Sequence, residues 1–144
     1  MALKQLLLVA KIEQEREEKA AQTFQQATAY VNDNQMKLDG LLQYRLDYFN
    51  SVHQRAQNGL EAMSFGHHQN FIKKLDTACS QQQQLTTNAK SAAEQRKMQW
   101  LQQQRKRKAV QMLIDKKQAQ QRAIEEKQEQ AMMDEFALQK LYRS

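Results

Sequence analysis

The segment NGLEAMSFG, residues 58–66, separates two long stretches of helix-forming sequence. Gly59 and Gly66 lie near its two ends, in a chain that has three glycines and no proline. Proline costs a helix interior about 3 kcal/mol, so a chain without it can form very long helices. Gly59 can adopt the left-handed conformation that ends a helix. The segment therefore predicts one turn between two helices.

Apolar residues on both sides of this segment recur every three to four positions, as in a coiled coil. No stretch alternates as a β-strand would. We therefore predict an all-α protein, one domain of residues 1–144, in which two long helices form an antiparallel coiled-coil hairpin. The first arm covers about residues 2–57, the turn about 58–68 and the second arm about 69–142.

Each arm carries more apolar surface near the turn than a two-helix seam needs. The first arm has one heptad row as far as Leu38 and two rows beyond it: Leu42, Phe49 and Val52, and Leu41, Tyr44 and Tyr48. The second arm also has two rows: Phe71, Leu75, Ala78, Leu85, Ala89 and Ala92, and Ile72, Cys79, Ala93 and Trp100. A surplus apolar row on a soluble protein often marks a partner site. We interpret Trp100 as a seam residue opposite small residues such as Ala20 or Ala21.

Charge favours one register of the two arms. Folding the chain about its turn brings residues whose numbers sum to about 125 opposite each other. The glutamates at Glu13, Glu15, Glu17 and Glu18 then face the basic run Arg105–Lys108. The seam is polar around this run and is expected to resume at Val110 and Leu113. The start of the chain lies beside about Ile124, so the second arm is expected to protrude beyond the first.

The net charge of +6 arises entirely in the second arm. Residues 1–60 contain seven basic and seven acidic side chains, whereas residues 61–144 contain fifteen and nine. A basic helix can bind nucleic acid, acidic lipid or an acidic protein, or it can be a solvated face. The alternatives therefore include a nucleic-acid-binding coiled coil that uses Lys90–Arg122, and a coiled-coil scaffold.

The sequence contains no pattern that indicates catalysis or a cofactor. Three widely spaced glycines cannot form a phosphate-binding loop. Cys79 is the only cysteine, so no disulfide forms within the chain. His67 and His68 are adjacent and point in different directions on a helix, with no third metal ligand nearby. We predict no enzyme, cofactor or metal site. No apolar run approaches the ~20 residues of a membrane span, and we expect a cytoplasmic protein.

Three segments resemble the flagellar FliJ family: LLQYRLDY at residues 41–48, QNFIKKLDTA at 69–78 and MDEFA at 133–137. The similarity covers essentially the whole chain in length, hairpin pattern and tail. It implies a soluble, non-enzymatic component of the bacterial flagellar type III export apparatus. The fold it implies is a coiled coil similar to the central shaft of the rotary ATP synthase.

The resemblance also implies partners: the hexameric ring of the export ATPase FliI, the export-gate protein FlhA, and substrate chaperones that the protein escorts. We expect a monomer that binds no nucleic acid and associates peripherally with the inner membrane at the flagellar base. The residues expected to contact the gate are Leu41, Tyr44, Tyr48, Phe71, Leu75, Ala78 and Gln82. Those expected to contact the ATPase ring are Ile124, Ala131, Met133, Asp134, Glu135, Phe136 and Leu138.

The resemblance favours exposure of Tyr44, Tyr48 and Phe71. The alternative is that Phe71, Leu75 and Ala78 form the seam itself.

Overall fold

The computed structural model describes residues 2–59 and 62–143, which form two α-helices. Helix α1 runs Leu3–Gln57 and helix α2 runs Ala62–Arg143. The two helices pack against each other, which confirms the predicted all-α helical hairpin. Tyr48 of α1 contacts Phe71 early in α2, whereas Phe24 contacts Trp100 much later in α2. The helices are therefore antiparallel.

Gly59 ends α1 in the left-handed conformation that the sequence predicts, with a φ of 92°. Helix α2 begins at Ala62 and not near Gln69. Gly66 lies inside α2 because one glycine costs a helix only about 1 kcal/mol relative to alanine, too little to end a long helix. Leu60 and Glu61, which belong to the predicted turn, lie outside the described residues.

The packing surface of α1 is a single heptad row in steps of three and four residues. Its buried and half-buried members are Leu3, Leu6, Ala10, Glu13, Glu17, Ala20, Phe24, Ala27, Val31, Asn34, Leu38, Leu41, Arg45, Tyr48 and Val52. The predicted division of the row after Leu38 is wrong, because Leu42 and Phe49 are each 47% exposed. The row in fact continues through Leu41, Arg45, Tyr48 and Val52, and the polar Arg45 interrupts its apolar pattern in the sequence. Arg45 occupies the heptad position after Leu41, and its side chain, 38% exposed, places the guanidinium against Asp76.

The packing surface of α2 takes members from both predicted rows. They are His68, Ile72, Leu75, Cys79, Gln82, Thr86, Ala89, Ala93, Trp100, Gln103, Arg107, Val110, Ile114 and Lys117. Leu85 and Leu113 were expected in the seam but are 50% and 53% exposed. Ile114, only 2% exposed, occupies the seam position beside Leu113. Heptad spacing counted from Leu75 reaches Ile114 and misses both leucines.

The chain divides into two compact units. The central unit is Ala20–Trp100, and the terminal unit combines Met1–Lys19 with Leu101–Ser144. The core of the central unit contains Asn34, Leu38, Val52, Leu75, Cys79, Thr86, Ala89 and Ala93. Phe24 stacks on Trp100 with ring centroids 5.7 Å apart and planes inclined by 21°. Trp100 is therefore a seam residue, as predicted, and it packs on an aromatic ring.

The terminal unit has Leu6 and Ile114 as its buried apolar residues among those described. Arg107 forms an ion pair with Glu17, which confirms the expected opposition of glutamates and basic residues at this position. Gln103 donates a hydrogen bond to the backbone carbonyl of Glu13 at 3.2 Å. The residue numbers sum to 124 for Glu17 and Arg107 and to 116 for Glu13 and Gln103, so the register is shifted by a few residues from the expected 125.

Neither described helix has a segment that is both long and apolar enough to cross a membrane.

Candidate partner-binding surfaces

An aromatic cluster lies close to the turn in the central unit and draws on both helices. Tyr48 packs on Phe71 with ring centroids 4.7 Å apart and planes inclined by 54°. The ring centroid of Tyr48 lies 6.4 Å from that of Tyr44 on the same helix and 5.6 Å from that of His68 on the other helix. Tyr48 also shares a hydrogen bond with Nδ1 of His68. These contacts fix the ring of Tyr48, since neighbours hold both its face and its hydroxyl.

Exposure within this aromatic cluster is uneven. Tyr44 is 52% exposed and Phe71 is 38% exposed, as the sequence predicts. Tyr48 is half-buried, so the expectation that it is exposed is wrong. Tyr48 occupies a heptad position between the helices, and its ring packs against that of Phe71. The accessible part of the aromatic cluster is therefore Tyr44 and Phe71.

The remaining residues expected to contact the gate lie in or beside the seam. Leu75 is 7% exposed, and Leu41 and Ala78 are half-buried. The seam alternative is thus correct for Leu75 and incorrect for Phe71. Gln82 is a seam residue whose amide donates to Oδ1 of Asn34 at 2.9 Å. Its side chain is engaged with the opposite helix, which leaves little of it for a partner.

An ion pair between Arg45 and Asp76 crosses the seam beside the aromatic cluster. The hydrogen bond to Asp76, together with the charge of that carboxylate, raises the pKa of the Arg45 guanidinium above its ordinary value. An arginine at its ordinary pKa is already charged at every physiological pH, so the shift does not change the charge of Arg45 there. Both side chains are substantially exposed, and exposed pairs contribute little to stability.

Sequence reasoning did not identify a second exposed apolar set near the turn. Leu42, Leu46, Phe49 and Phe65 are 47%, 50%, 47% and 39% exposed. Phe49 stacks on His53 at 6.3 Å, and a shallow groove of about 160 Å³ lies between Phe49 and Phe65. The heptad position of Phe49, counted correctly through Arg45, would have placed it beside the seam and not in it.

The residues expected to contact the ATPase ring all belong to the terminal unit. Every residue from Gln118 to Arg143 is exposed. Ile124, Met133, Phe136 and Leu138 are between 56% and 68% exposed, and Ala131, Asp134 and Glu135 are exposed with them. Asp134 accepts a hydrogen bond from Gln130 one turn earlier, at 3.1 Å. This part of α2 therefore presents large apolar side chains to its surroundings.

Within residues 2–59 and 62–143, no group of three potential ligands is placed to hold a metal ion. Cys79 is buried in the seam, 7% exposed. His68 is bonded to Tyr48, whereas His67 is exposed. His68 therefore packs between the helices, whereas His67 faces solvent.

A family described as "Flagellar FliJ protein" matches residues 2–144, essentially the whole chain. No curated protein and no solved structure matches significantly. The match includes the segments around Tyr44, Phe71 and Phe136 that carry the resemblance in the sequence. The chain therefore belongs to the flagellar FliJ family and is a component of flagellar protein export.

Proposed function

We propose that this chain is a non-catalytic stalk of the flagellar export apparatus that binds the export ATPase FliI through the terminal unit and the export-gate protein FlhA through the central unit. The observation that carries the proposal is the presence, in each unit, of large apolar side chains that the helical pairing leaves exposed. Exposed apolar patches on a soluble protein commonly mark sites of protein contact.

The gate contact is assigned to Tyr44 and Phe71. Their rings come from different helices, and the half-buried ring of Tyr48 links them. Aromatic side chains held rigidly by neighbours are typical of the residues that dominate binding energy at protein interfaces. Leu41, Leu75 and Ala78 are buried or half-buried, so they are assigned to the pairing of the helices and not to the gate contact. Gln82 acts indirectly, through its bonds to α1.

The ATPase-ring contact is assigned to the exposed segment that contains Ile124, Met133, Phe136 and Leu138. An isolated helix in water is only marginally stable, and its stability in proteins comes mainly from packing. An exposed apolar helix therefore gains from entering a ring that covers it. Basic side chains between Arg105 and Lys116 would attract an acidic ring opening, and salt would weaken that attraction.

Coupling between ring and gate would be mechanical. Binding of one chain to both partners would link the state of the ring to opening of the gate. Escort of substrate chaperones, monomeric state and peripheral association with the inner membrane are further parts of this proposal. The escort role and the membrane association are what the resemblance to the FliJ family implies, whereas the monomeric state is argued from the pairing of the two helices within one chain.

A nucleic-acid-binding coiled coil is less well supported. Nucleic-acid binders without base-specific contacts combine a basic surface with aromatic rings on which bases stack. Trp100 is the aromatic residue within Lys90–Arg122, and its ring is stacked on Phe24 in the seam. The basic region therefore lacks a free stacking platform.

A parallel binding assay tests the proposal. The purified chain is presented to the export ATPase, to the cytoplasmic domain of the gate protein and to duplex DNA at physiological salt. Binding to both proteins with no shift of the DNA supports the proposal. Binding to DNA alone would replace it with the nucleic-acid alternative.

A further inference from the structure

A buried polar cluster interrupts the apolar seam of the central unit. Asn34 is 4% exposed and Thr86 is 2% exposed, and Gln82 lies between them in the seam. Gln82 donates to Oδ1 of Asn34 at 2.9 Å and to its backbone carbonyl at 3.1 Å. Thr86 donates to the same carbonyl at 3.2 Å. Two hydrogen bonds from Gln82 thus join the helices at one level of the seam, and the single hydroxyl hydrogen of Thr86 is shared between the carbonyls of Asn34 and Gln82.

The polar cluster is internally satisfied. The side-chain amide of Asn34 donates through Nδ2 to the backbone carbonyl of Tyr30, one turn earlier, at 2.8 Å. Thr86 also approaches the carbonyl of Gln82 at 2.9 Å. Among the described residues, no buried side-chain nitrogen or oxygen lacks a hydrogen-bond partner. Burial of these polar atoms is therefore tolerated only while the two helices keep this pairing.

Other registers of the same helices would take from Oδ1 of Asn34 and the side-chain amide of Gln82 their partners across the seam. A coiled coil can slip by one heptad and still keep its seam positions facing each other. After such a slip, Asn34 would face Leu75 and Cys79 in one direction, or Ala89 and Ala93 in the other. Gln82 and Thr86 would face Leu41 or Ala27. These side chains offer no strong hydrogen-bonding group, so either slip buries amides without partners.

The alanine levels of the seam discriminate poorly between registers, in contrast to the aromatic pairs Phe24–Trp100 and Tyr48–Phe71. Ala20, Ala27, Ala89 and Ala93 are small and nearly identical in shape, so exchanging one alanine level for another changes packing little. A single buried polar position is known to fix the register of a coiled coil at some cost in stability.

We propose that the Asn34–Gln82–Thr86 cluster is a register lock, which selects one alignment of α1 and α2 in the central unit and holds the aromatic cluster together. A slip of one heptad displaces one helix by about 10 Å along the other. Tyr48 and Phe71, now 4.7 Å apart, would separate by a comparable amount. Only the consequence for gate binding rests on the proposed function, and the register itself can be measured independently.

The test is the distance between spin labels at Gln25 and Lys73, two exposed positions of the central unit on different helices. In the antiparallel register these labels are offset by roughly 30 Å along the helices, so a heptad slip changes their separation by about 10 Å. Cys79→Ala in all variants restricts labelling to the two introduced cysteines. The seam variant is Asn34→Leu, Gln82→Leu and Thr86→Val. The control is Asn32→Leu, Gln81→Leu and Thr87→Val, the same exchange at exposed positions.

The parent chain and the control are expected to give one narrow distance. The seam variant is expected to unfold at an equal or higher temperature and to give a broad or multiple distribution shifted by about 10 Å. A single narrow peak at the parent distance would overturn the lock. A lower unfolding temperature with the parent distance unchanged would show that the polar cluster stabilises the pair without selecting its register. If the distances shift and gate binding persists, the lock stands and the assignment of the gate surface fails.

Discussion

The ring centroids of Tyr48 in α1 and Phe71 in α2 lie 4.7 Å apart, although the turn lies between the two residues in the sequence. The hydroxyl of Tyr48 is meanwhile bonded to His68, so the ring is held at both ends by α2. This arrangement makes Tyr48 a seam residue that supports two exposed neighbours, Tyr44 and Phe71. Tyr48 therefore holds the helices together, whereas Tyr44 and Phe71 are available to a partner.

Tyr48→Phe removes the hydroxyl and keeps the ring. We expect the free energy of unfolding to fall by about 1 kcal/mol, the usual net value of one hydrogen bond. Tyr48→Ala should cost clearly more, because the contact with Phe71 is lost as well. Chemical denaturation of both variants measures the difference. Equal losses would mean that ring packing contributes nothing at this position.

Leu75→Ala is expected to lower the free energy of unfolding by about 2 kcal/mol, the low end for a buried leucine, because a two-helix seam lies close to solvent and relaxes easily. Leu85→Ala is the matched control, since Leu85 is on the same helix and 50% exposed. It should change stability by less than about 0.5 kcal/mol. A larger effect at Leu85 than at Leu75 would contradict the seam described for α2.

Much of the fold could be predicted from the sequence because the physical signals were strong. The absence of proline, the heptad spacing and Gly59 together define two antiparallel helices. The seam was harder to predict wherever a polar residue occupied a heptad position. Asn34, Arg45 and Gln82 interrupt the apolar pattern, and the structure shows that their polar groups are satisfied across the seam.

The candidate surfaces could be predicted only in part. Which of two neighbouring apolar residues faces the other helix depends on the heptad count, and an error of one position exchanges seam and surface. Leu85, Leu113 and Phe49 were misplaced in this way. The resemblance to the FliJ family correctly favoured exposure of Tyr44 and Phe71. It did not reveal that Tyr48 is half-buried, because that depends on its contacts with His68 and Phe71.

Truncation after Lys127 is expected to abolish stimulation of the export ATPase and to leave gate binding unchanged. The deleted residues include Met133, Phe136 and Leu138, which are exposed, whereas the central unit is left whole. Steady-state ATP hydrolysis at equal protein concentration and ionic strength provides the measurement.

A full-length variant excludes a trivial effect of chain length. Phe136→Ala with Leu138→Ala should also reduce stimulation, whereas Leu8→Ala, an exposed leucine elsewhere in the terminal unit, should not. The assignment of the ring surface is falsified if the truncated chain stimulates hydrolysis as well as the complete one.

Lys106→Gln with Lys108→Gln is expected to weaken binding to the ATPase ring a few-fold at low ionic strength, mainly through slower association. The defect should shrink as salt is added, because screening removes the same attraction from the parent chain. Lys73→Gln with Lys74→Gln, two exposed lysines of the central unit, is the control. Association rates measured over a range of salt concentrations test this. Identical salt dependence of parent and variant would exclude steering by these lysines.

The affinity of the gate's cytoplasmic domain for a variant with Tyr44→Ala and Phe71→Ala tests the central claim most directly. The matched control is Leu42→Ala with Phe49→Ala, which removes exposed apolar side chains from the other set near the turn. Titration calorimetry of variants with equal unfolding temperatures should give a dissociation constant at least tenfold weaker for the first pair, a loss of about 1.4 kcal/mol or more. The control should bind as the parent does. Parent-like binding by the first variant, or an equal loss in the control, would contradict the assignment of the gate surface to Tyr44 and Phe71.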